Sequence, residues 1–485
     1  MAGAIRNKTV RGVGWSFADN ILSQGITFLV GLVLARLLTP QEYGLIGIIT
    51  IFIAVFNSIT DSGFSSALIR KNDASEADFN TVFLSNLGIS FLLFLTLFIS
   101  APAIASFFGQ PQLVPLTRVM SVIVIINAFA IIQRTILVKK VDFKTQTKVS
   151  LIASIISAAT GLGMALNGCG VWSLVGQQVS RQLVYTTLLW AWGRWIPDFR
   201  FSSKSFRELF GFGWKLLVSG LIDTLWREMY QVIIGKCYST ATLGQYTRAQ
   251  QFSNLFSTNL TSVVQRVSYP VLSEIQDEKE RMKLVYKKII KVTMLAAFCC
   301  MFGLAAIAKP MIITLIGEQW LPAVPFLQIL CFQMVLYPIH AINLNMLQVQ
   351  GRSDLFLKLE ILKKIIGTVP LLLGIFMNIY WMLWGSVITG FVSYYLNAYY
   401  SGRFLSYGIW EQVKDILPSF TVASVMAAVV YALSFITMPY LPLMLVQIVT
   451  GVALAVVMCE LCRLDAYLEV KTILMSYINK LRHGE

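Results

Sequence analysis

Five polar residues, Arg248, Gln251, Asn259, Ser262 and Arg266, recur at intervals of 3, 8, 3 and 4 in an otherwise apolar stretch. At 100° per residue they fall within about 60° of one line on a helix. Arg248 and Arg266 are five helical turns apart, so they share a face at a separation of about 27 Å. A guanidinium is a planar fork that matches phosphate oxygens, and a column of them suits an anionic ligand. Other stretches carry comparable stripes. They are Ser219, Asp223, Trp226, Arg227 and Tyr230; Ser16, Asp19, Asn20, Ser23 and Thr27; Thr50, Asn57, Ser58, Asp61 and Ser65; and Gln178, Arg181 and Tyr185. Arg181, Arg227, Arg248 and Arg266 supply the positive charge, with Gln251, Asn259, Trp226 and Tyr230 beside them. Asp19, Asp61, Asp223 and Glu228 balance the arginines in number, and the three aspartates are candidate cation sites. The competing reading is that the stripes are interhelical hydrogen bonds and ion pairs that hold a bundle together. Asp223 and Arg227, at i and i+4, would then neutralise each other.

The elements that carry these residues are set by composition. Of 485 residues 56% are hydrophobic and 13% charged, and the mean hydropathy is +0.69. Soluble domains carry about 25% charged residues, and a membrane helix needs about 20 mainly apolar ones. The fold class expected is an all-α polytopic membrane protein. Fourteen spans are expected, at about 12–37, 41–69, 79–106, 114–138, 146–167, 171–193, 209–235, 242–272, 287–308, 322–349, 355–377, 380–402, 415–436 and 441–462. The basic start runs into the first span without a cleavage signal, so that span is read as uncleaved. Cys459 and Cys462 have C-x-x-C spacing but no second pair to complete a zinc site. His340 and His483 stand alone, so no metal site is expected. No phosphate-binding loop of P-loop type is present.

Alternate loops are rich in Lys and Arg, from Arg70 and Lys71 through the 279–291 segment to the C-terminal tail. The intervening ones hold only Arg36, Arg118, Lys236 and Lys309. This bias places both termini in the cytoplasm. The net charge of +15 needs no nucleic-acid partner, because cytoplasmic loops beside anionic lipid account for it. A repeat is visible. "GVGW" (Gly12–Trp15) matches "GFGW" (Gly211–Trp214), the turn ending at Gly44 matches the one ending at Gly244, and "VWSLVG" (Val171–Gly176) matches "YWMLWG" (Tyr380–Gly385). The expected organisation is a six-helix lobe at 1–193, a cytoplasmic linker at 194–208, a second six-helix lobe at 209–403, and two further helices with a tail at 404–485. Six is even, so the lobes would be parallel repeats about an axis along the membrane normal, with a central cavity between them.

"LARLLTPQEYGLIGI" (Leu34–Ile48), "DSGFSSALIRK" (Asp61–Lys71), "GVWSLVGQQV" (Gly170–Val179), "LGQYTRAQQFSNL" (Leu243–Leu255) and "GEQWLPAVPFLQIL" (Gly317–Leu330) follow in order. They resemble the polysaccharide transporter family, the Wzx-like flippases of the superfamily that also holds the MATE exporters and lipid II flippases. The likeness extends to about residue 400 and is nearest to the colanic-acid-type exopolysaccharide branch. It implies alternating access for an undecaprenyl-diphosphate-linked oligosaccharide in the bacterial inner membrane. A proton or sodium gradient would be the drive, no cofactor would be needed, and a polysaccharide polymerase and other assembly proteins would be partners. Arg227 and Arg248 would meet the diphosphate and Arg266 would admit it. Arg36 and Glu42 would pair at the outer mouth, unless Arg36 only reaches for the interface. Two alternatives are weighed. A MATE-like antiporter for small cations wants an acidic cavity, whereas the 242–272 span is basic. A membrane glycosyltransferase or ligase wants large outer loops with clustered acidic residues, whereas these are short and nearly uncharged. The expectation is a transporter, not an enzyme.

Overall fold

A computed structural model describes residues 22–61, 63–193, 195–472 and 475. Asp19 and the "GVGW" segment lie outside the described residues. Among those described, every regular element is a helix. Helices occupy most of the described part of each of the fourteen expected segments. Among the described residues eight helical stretches are long and apolar enough to cross a membrane, and the chain is a multi-pass helical membrane protein. Of the rest, the helices at 172–192, 203–237, 240–274 and 353–376 are diluted by polar residues, which on the first three include those of the stripes.

The chain forms two compact units, one up to Gly244 and one from Gln245. The first holds α1 (Leu22–Leu37), α2 (Pro40–Asp61), α3 (Phe64–Arg70), α4 (Glu76–Phe108), α5 (Leu113–Lys139), α6 (Phe143–Leu166), α7 (Trp172–Trp192), α8 (Ser203–Cys237) and the first turn of α9 (Thr240–Glu274). The expected 41–69 span is broken in two. Gly63 stands between α2 and α3 with φ +68°, a conformation that glycine adopts without steric cost. Its backbone lies against α8: a Cβ there would come 2.4 Å from the Gly213 carbonyl oxygen.

Several helix starts are capped from their own sequence. Ser75 and Asp78 close a capping box on α4. Asp142 caps α6 and Ser202 caps α8. The 195–202 segment, within the expected linker, runs along the start of α4. Trp195 donates its indole N–H to Glu76 (2.7 Å), the Asp198 amide donates to Asn80 (3.0 Å), and the Ser202 amide donates to Thr81 (3.0 Å). Beneath it Phe64, Leu68, Phe83, Ile132 and Leu209 form a buried core edged by Trp190, Trp195 and Phe206. At this end of the unit, Lys71 lies between Glu208 (3.0 Å) and Asp78 (3.1 Å). The hydrogen bonds that its ammonium donates to Glu208 and Asp78 raise its pKa above the ordinary lysine value.

The second unit continues α9 and adds α10 (Lys279–Ala306), α11 (Ala308–Ile316), α12 (Ala323–Met334), α13 (Tyr337–Val349), α14 (Ser353–Phe376), α15 (Ile379–Leu405), α16 (Ile409–Ala432) and α17 (Tyr440–Leu461). The expected 322–349 span is two helices, with Pro338 at the start of the second. α16 packs on α10 and α17. Leu295, Val422, Cys459 and Ala466 form one apolar cluster there, and Ala306, Met426 and Val430 another. Cys459 and Cys462 are both free thiols.

Candidate functional site

In the first unit the site begins at the turn before α2. Thr39 and Glu42 make a capping box: Glu42 Oε2 accepts from the Thr39 amide (2.7 Å) and hydroxyl (3.0 Å), and the Glu42 amide donates to Thr39 Oγ1 (3.4 Å). Glu42, the expected partner of Arg36, is held through Oε2 by Thr39. Arg36 itself is exposed. The matching turn before α9 meets this one. A Cβ on Gly44 would stand 1.8 Å from the Thr240 carbonyl oxygen, and a Cβ on Gly244 1.9 Å from the Pro40 carbonyl oxygen. Each glycine therefore admits the first residue of the other helix, and no other residue type leaves room for that contact.

Beside this turn lies a pocket of about 470 Å³, lined by Gln41, Glu42, Gln112, Gly168, Gly170 and Trp172 among others. It sits among the Lys/Arg-poor loops. Deeper in the unit, the side-chain amide of Asn127 on α5 donates to Asn57 on α2 (3.0 Å), and that of Gln182 on α7 donates to Asn127 (3.3 Å). Asp61 accepts from Ser65 at 2.5 Å, so two members of one expected stripe are partners. Asp223 and Arg227 on α8 form the expected i, i+4 pair, 3.6 Å apart, with side chains 57% and 67% exposed. At that exposure the pair contributes little to stability. Trp226 and Tyr230 are half-buried on the same helix, and Arg181 is exposed on α7.

In the second unit α9 has two contrasting faces. Phe252, Ser253, Ser257, Thr261 and Ser268 are buried; Ser257 donates to the Met334 carbonyl (2.8 Å) and Asn345 donates to Ser268 (3.3 Å). Gln251, Asn259 and Arg266 are exposed on the other face, and Arg248 is half-buried. The Arg248 guanidinium donates to Gln251 Oε1 and lies 6.0 Å from the Trp320 ring centroid. Asn259 donates to the Leu255 carbonyl one turn back. The predicted stripe is thus an open polar face of this unit.

A polar cluster not expected from the sequence lies buried among α10, α13, α15 and α16. Asn343 Oδ1 accepts from Tyr286 (2.5 Å) and Ser401 (2.7 Å), and its amide donates to Gln412 (3.5 Å). Tyr394 also donates to Gln412 (3.4 Å), and Asn397 hydrogen-bonds His340 Nδ1 (3.1 Å). Isolated polar residues inside apolar spans are the signal for such a network, since each must find a partner away from water. Among the described residues no three His, Cys, Asp or Glu side chains converge as metal ligands.

The chain is 28% identical to the succinoglycan biosynthesis transport protein ExoT of Rhizobium meliloti (strain 1021) over 331 residues, 68% of this chain and 67% of the relative. It is 24% identical to the lipopolysaccharide biosynthesis protein WzxC of Escherichia coli (strain K12) over 377 residues, 76% of each. The solved structure of the lipid II flippase MurJ in an inward closed conformation matches with a TM-score of 0.73 at 14% identity, covering 93% of this chain and 98% of that one. This last likeness is one of fold. A family described as "Polysaccharide biosynthesis protein" matches residues 33–325. That is more than half of the sequence, and the chain belongs to this family.

Proposed function

We propose that this protein is a flippase for an undecaprenyl-diphosphate-linked oligosaccharide, moving it from the cytoplasmic to the outer leaflet of the bacterial inner membrane for surface-polysaccharide assembly. The observation that carries the reading is the membership of a polysaccharide biosynthesis family by a multi-pass helical chain, together with the exposed basic face of α9. Relatives named as transport and biosynthesis proteins support it. The proposed topology has fourteen crossings with both termini in the cytoplasm, in two six-helix lobes (1–193 and 209–403) joined by the 194–208 linker and followed by two trailing helices.

In this reading Arg227 and Arg248 hold the diphosphate by their planar forks, Arg181 adds positive charge, and Arg266 receives it from the cytoplasmic side. Gln251, Asn259, Trp226 and Tyr230 offer hydrogen bonds and aromatic faces to sugar. Asp61 and Asp223, with Asp19, are the carboxylates available to a coupling proton or sodium ion. Export would proceed by alternating access, with a polysaccharide polymerase taking the product. The test is deletion of the gene in its host. Lipid-linked oligosaccharide should accumulate on the cytoplasmic leaflet and return to normal on complementation. Continued export without accumulation would refute the assignment.

A further inference from the structure

We propose that the 470 Å³ pocket of the first unit is a docking site for an uncharged sugar ring. The inference deepens the transport reading and rests on it: the pocket lies among the Lys/Arg-poor loops, where that reading delivers the sugar headgroup. Its volume falls in the range of small-molecule sites, about 300–1,000 Å³, which is far more than a bound ion needs.

The lining selects the chemistry. Glu42 is anchored through Oε2 by Thr39, and among the described residues its Oε1 takes no hydrogen bond. A carboxylate fixed by one oxygen and open at the other is a strong acceptor for a hydroxyl. The primary amides of Gln41 and Gln112 add donors and acceptors. Trp172 is 38% exposed at the start of α7, and its ring can cover the C–H face of a pyranose. The lining holds no Lys or Arg, so with Glu42 present a diphosphate or a uronate is repelled. One carboxylate is too few for a cation site.

The 167–171 loop is shaped around the carboxylate. Gly168 and Gly170 have φ +74° and +55°, and a Cβ on Gly170 would come 2.5 Å from Glu42 Oε1. The equivalent turn of the repeat has Thr242 where this one has Glu42. The carboxylate therefore belongs to this pocket and not to the repeated backbone.

The experiment is saturation-transfer NMR on the full-length purified protein in lipid nanodiscs. The probes are D-glucose, D-galactose, N-acetyl-D-glucosamine and D-glucuronate. At least one neutral sugar should bind, with affinity about tenfold weaker in Trp172→Ala and in Gln112→Ala and largely restored in Trp172→Phe. D-Glucuronate should be rejected by the wild type and admitted by Glu42→Gln. Thermal melting of each variant checks that it is folded. The site is overturned if no neutral sugar binds, if Trp172→Ala binds as the wild type does, or if inorganic pyrophosphate displaces the sugar. In cells, Trp172→Ala should slow export. Sugar binding with export at the wild-type rate overturns the assignment of the pocket to the cargo. The binding measurement needs no transport, so its failure is separate from failure of the deletion test.

Discussion

At residues 39–44 a threonine and a glutamate close a capping box. At residues 239–244, 200 positions on, a serine and a threonine do the work with hydroxyls alone: the Thr242 amide donates to Ser239 Oγ (3.1 Å) and the two hydroxyls lie 2.8 Å apart. Both turns then place a glycine against the first helical residue of the other. Before them, Arg36 matches Lys236, whose ammonium donates to the Phe107 carbonyl at 2.5 Å. The helices that follow diverge. α2 carries Asn57 and Asp61, both partnered by neighbouring side chains. α9 carries Gln251, Asn259 and Arg266 on an exposed face. The two turns share the backbone contact that sets how closely their helices approach, while the side chains that follow differ in charge.

The largest effect should come from breaking the shared contact. Gly44→Val or Gly244→Val puts side-chain atoms where a carbonyl oxygen already stands. Neither backbone can yield without moving a helix start, so each should lose about 3 kcal/mol or more, to a similar extent. Thermal unfolding in detergent and membrane yield measure it. Gly211→Ala is the control, since nothing lies within 4 Å of a Cβ there, and alanine in a helix interior gains about 1 kcal/mol over glycine. Equal tolerance of valine and the control would show that the paired glycines do not hold this contact.

The next effect tests the divergence. Arg248→Ala and Arg266→Ala should each slow export about tenfold or more, since one charge-assisted hydrogen bond contributes roughly 1.5–3 kcal/mol. The lysine variants should retain part of the activity, because charge remains but the planar fork is lost. Arg266 is exposed, so its alanine variant should melt as the wild type does. Normal export by both folded alanine variants would leave the α9 face without a role in phosphate recognition.

The α9 face was legible because five residues repeat at a helical interval, and periodicity survives without knowledge of packing. The likeness of the turns at Gly44 and Gly244 was legible in the sequence, yet the reason for their glycines was not. "GFGW" contains two glycines: Gly213 supplies the carbonyl that meets Gly63, while Gly211 faces open space. The break at Gly63 was hidden because apolar residues continue on both sides of it. Proximity suggests Arg36 as a partner for Glu42, but the capping box with Thr39, three residues earlier, is a second use of the same carboxylate that charge pairing alone does not bring to mind. The cluster around Asn343 joins residues 57, 58 and 69 positions apart. No local pattern announces such a set, because only helix packing brings its members together.

A smaller effect is expected on α8. The Asp223–Arg227 pair is exposed, so Asp223→Asn should change stability by less than about 1 kcal/mol. If it slows export without shifting the melting temperature, the carboxylate acts on cargo or coupling ion. A large loss of stability would instead make the pair structural.

The smallest effect returns to the two turns. Removing a capping hydroxyl typically costs about 1 kcal/mol, so Thr39→Ala and Ser239→Ala should destabilise alike. The third helical positions should not. Glu42 contributes both the return bond to the Thr39 amide and a negative charge at a helix start, the latter stabilising by roughly 0.3–1 kcal/mol and weakening with salt. Thr242 has no charge to contribute. In a double-mutant cycle, Thr39 and Glu42 should therefore couple by about 0.5–1 kcal/mol, and Ser239 and Thr242 by less. The coupling at the first turn should shrink in high salt while that at the second stays constant. Equal coupling at both turns, with no salt response at either, would mean that the Glu42 carboxylate adds nothing to the cap. Its presence beside the pocket would then rest on ligand recognition alone.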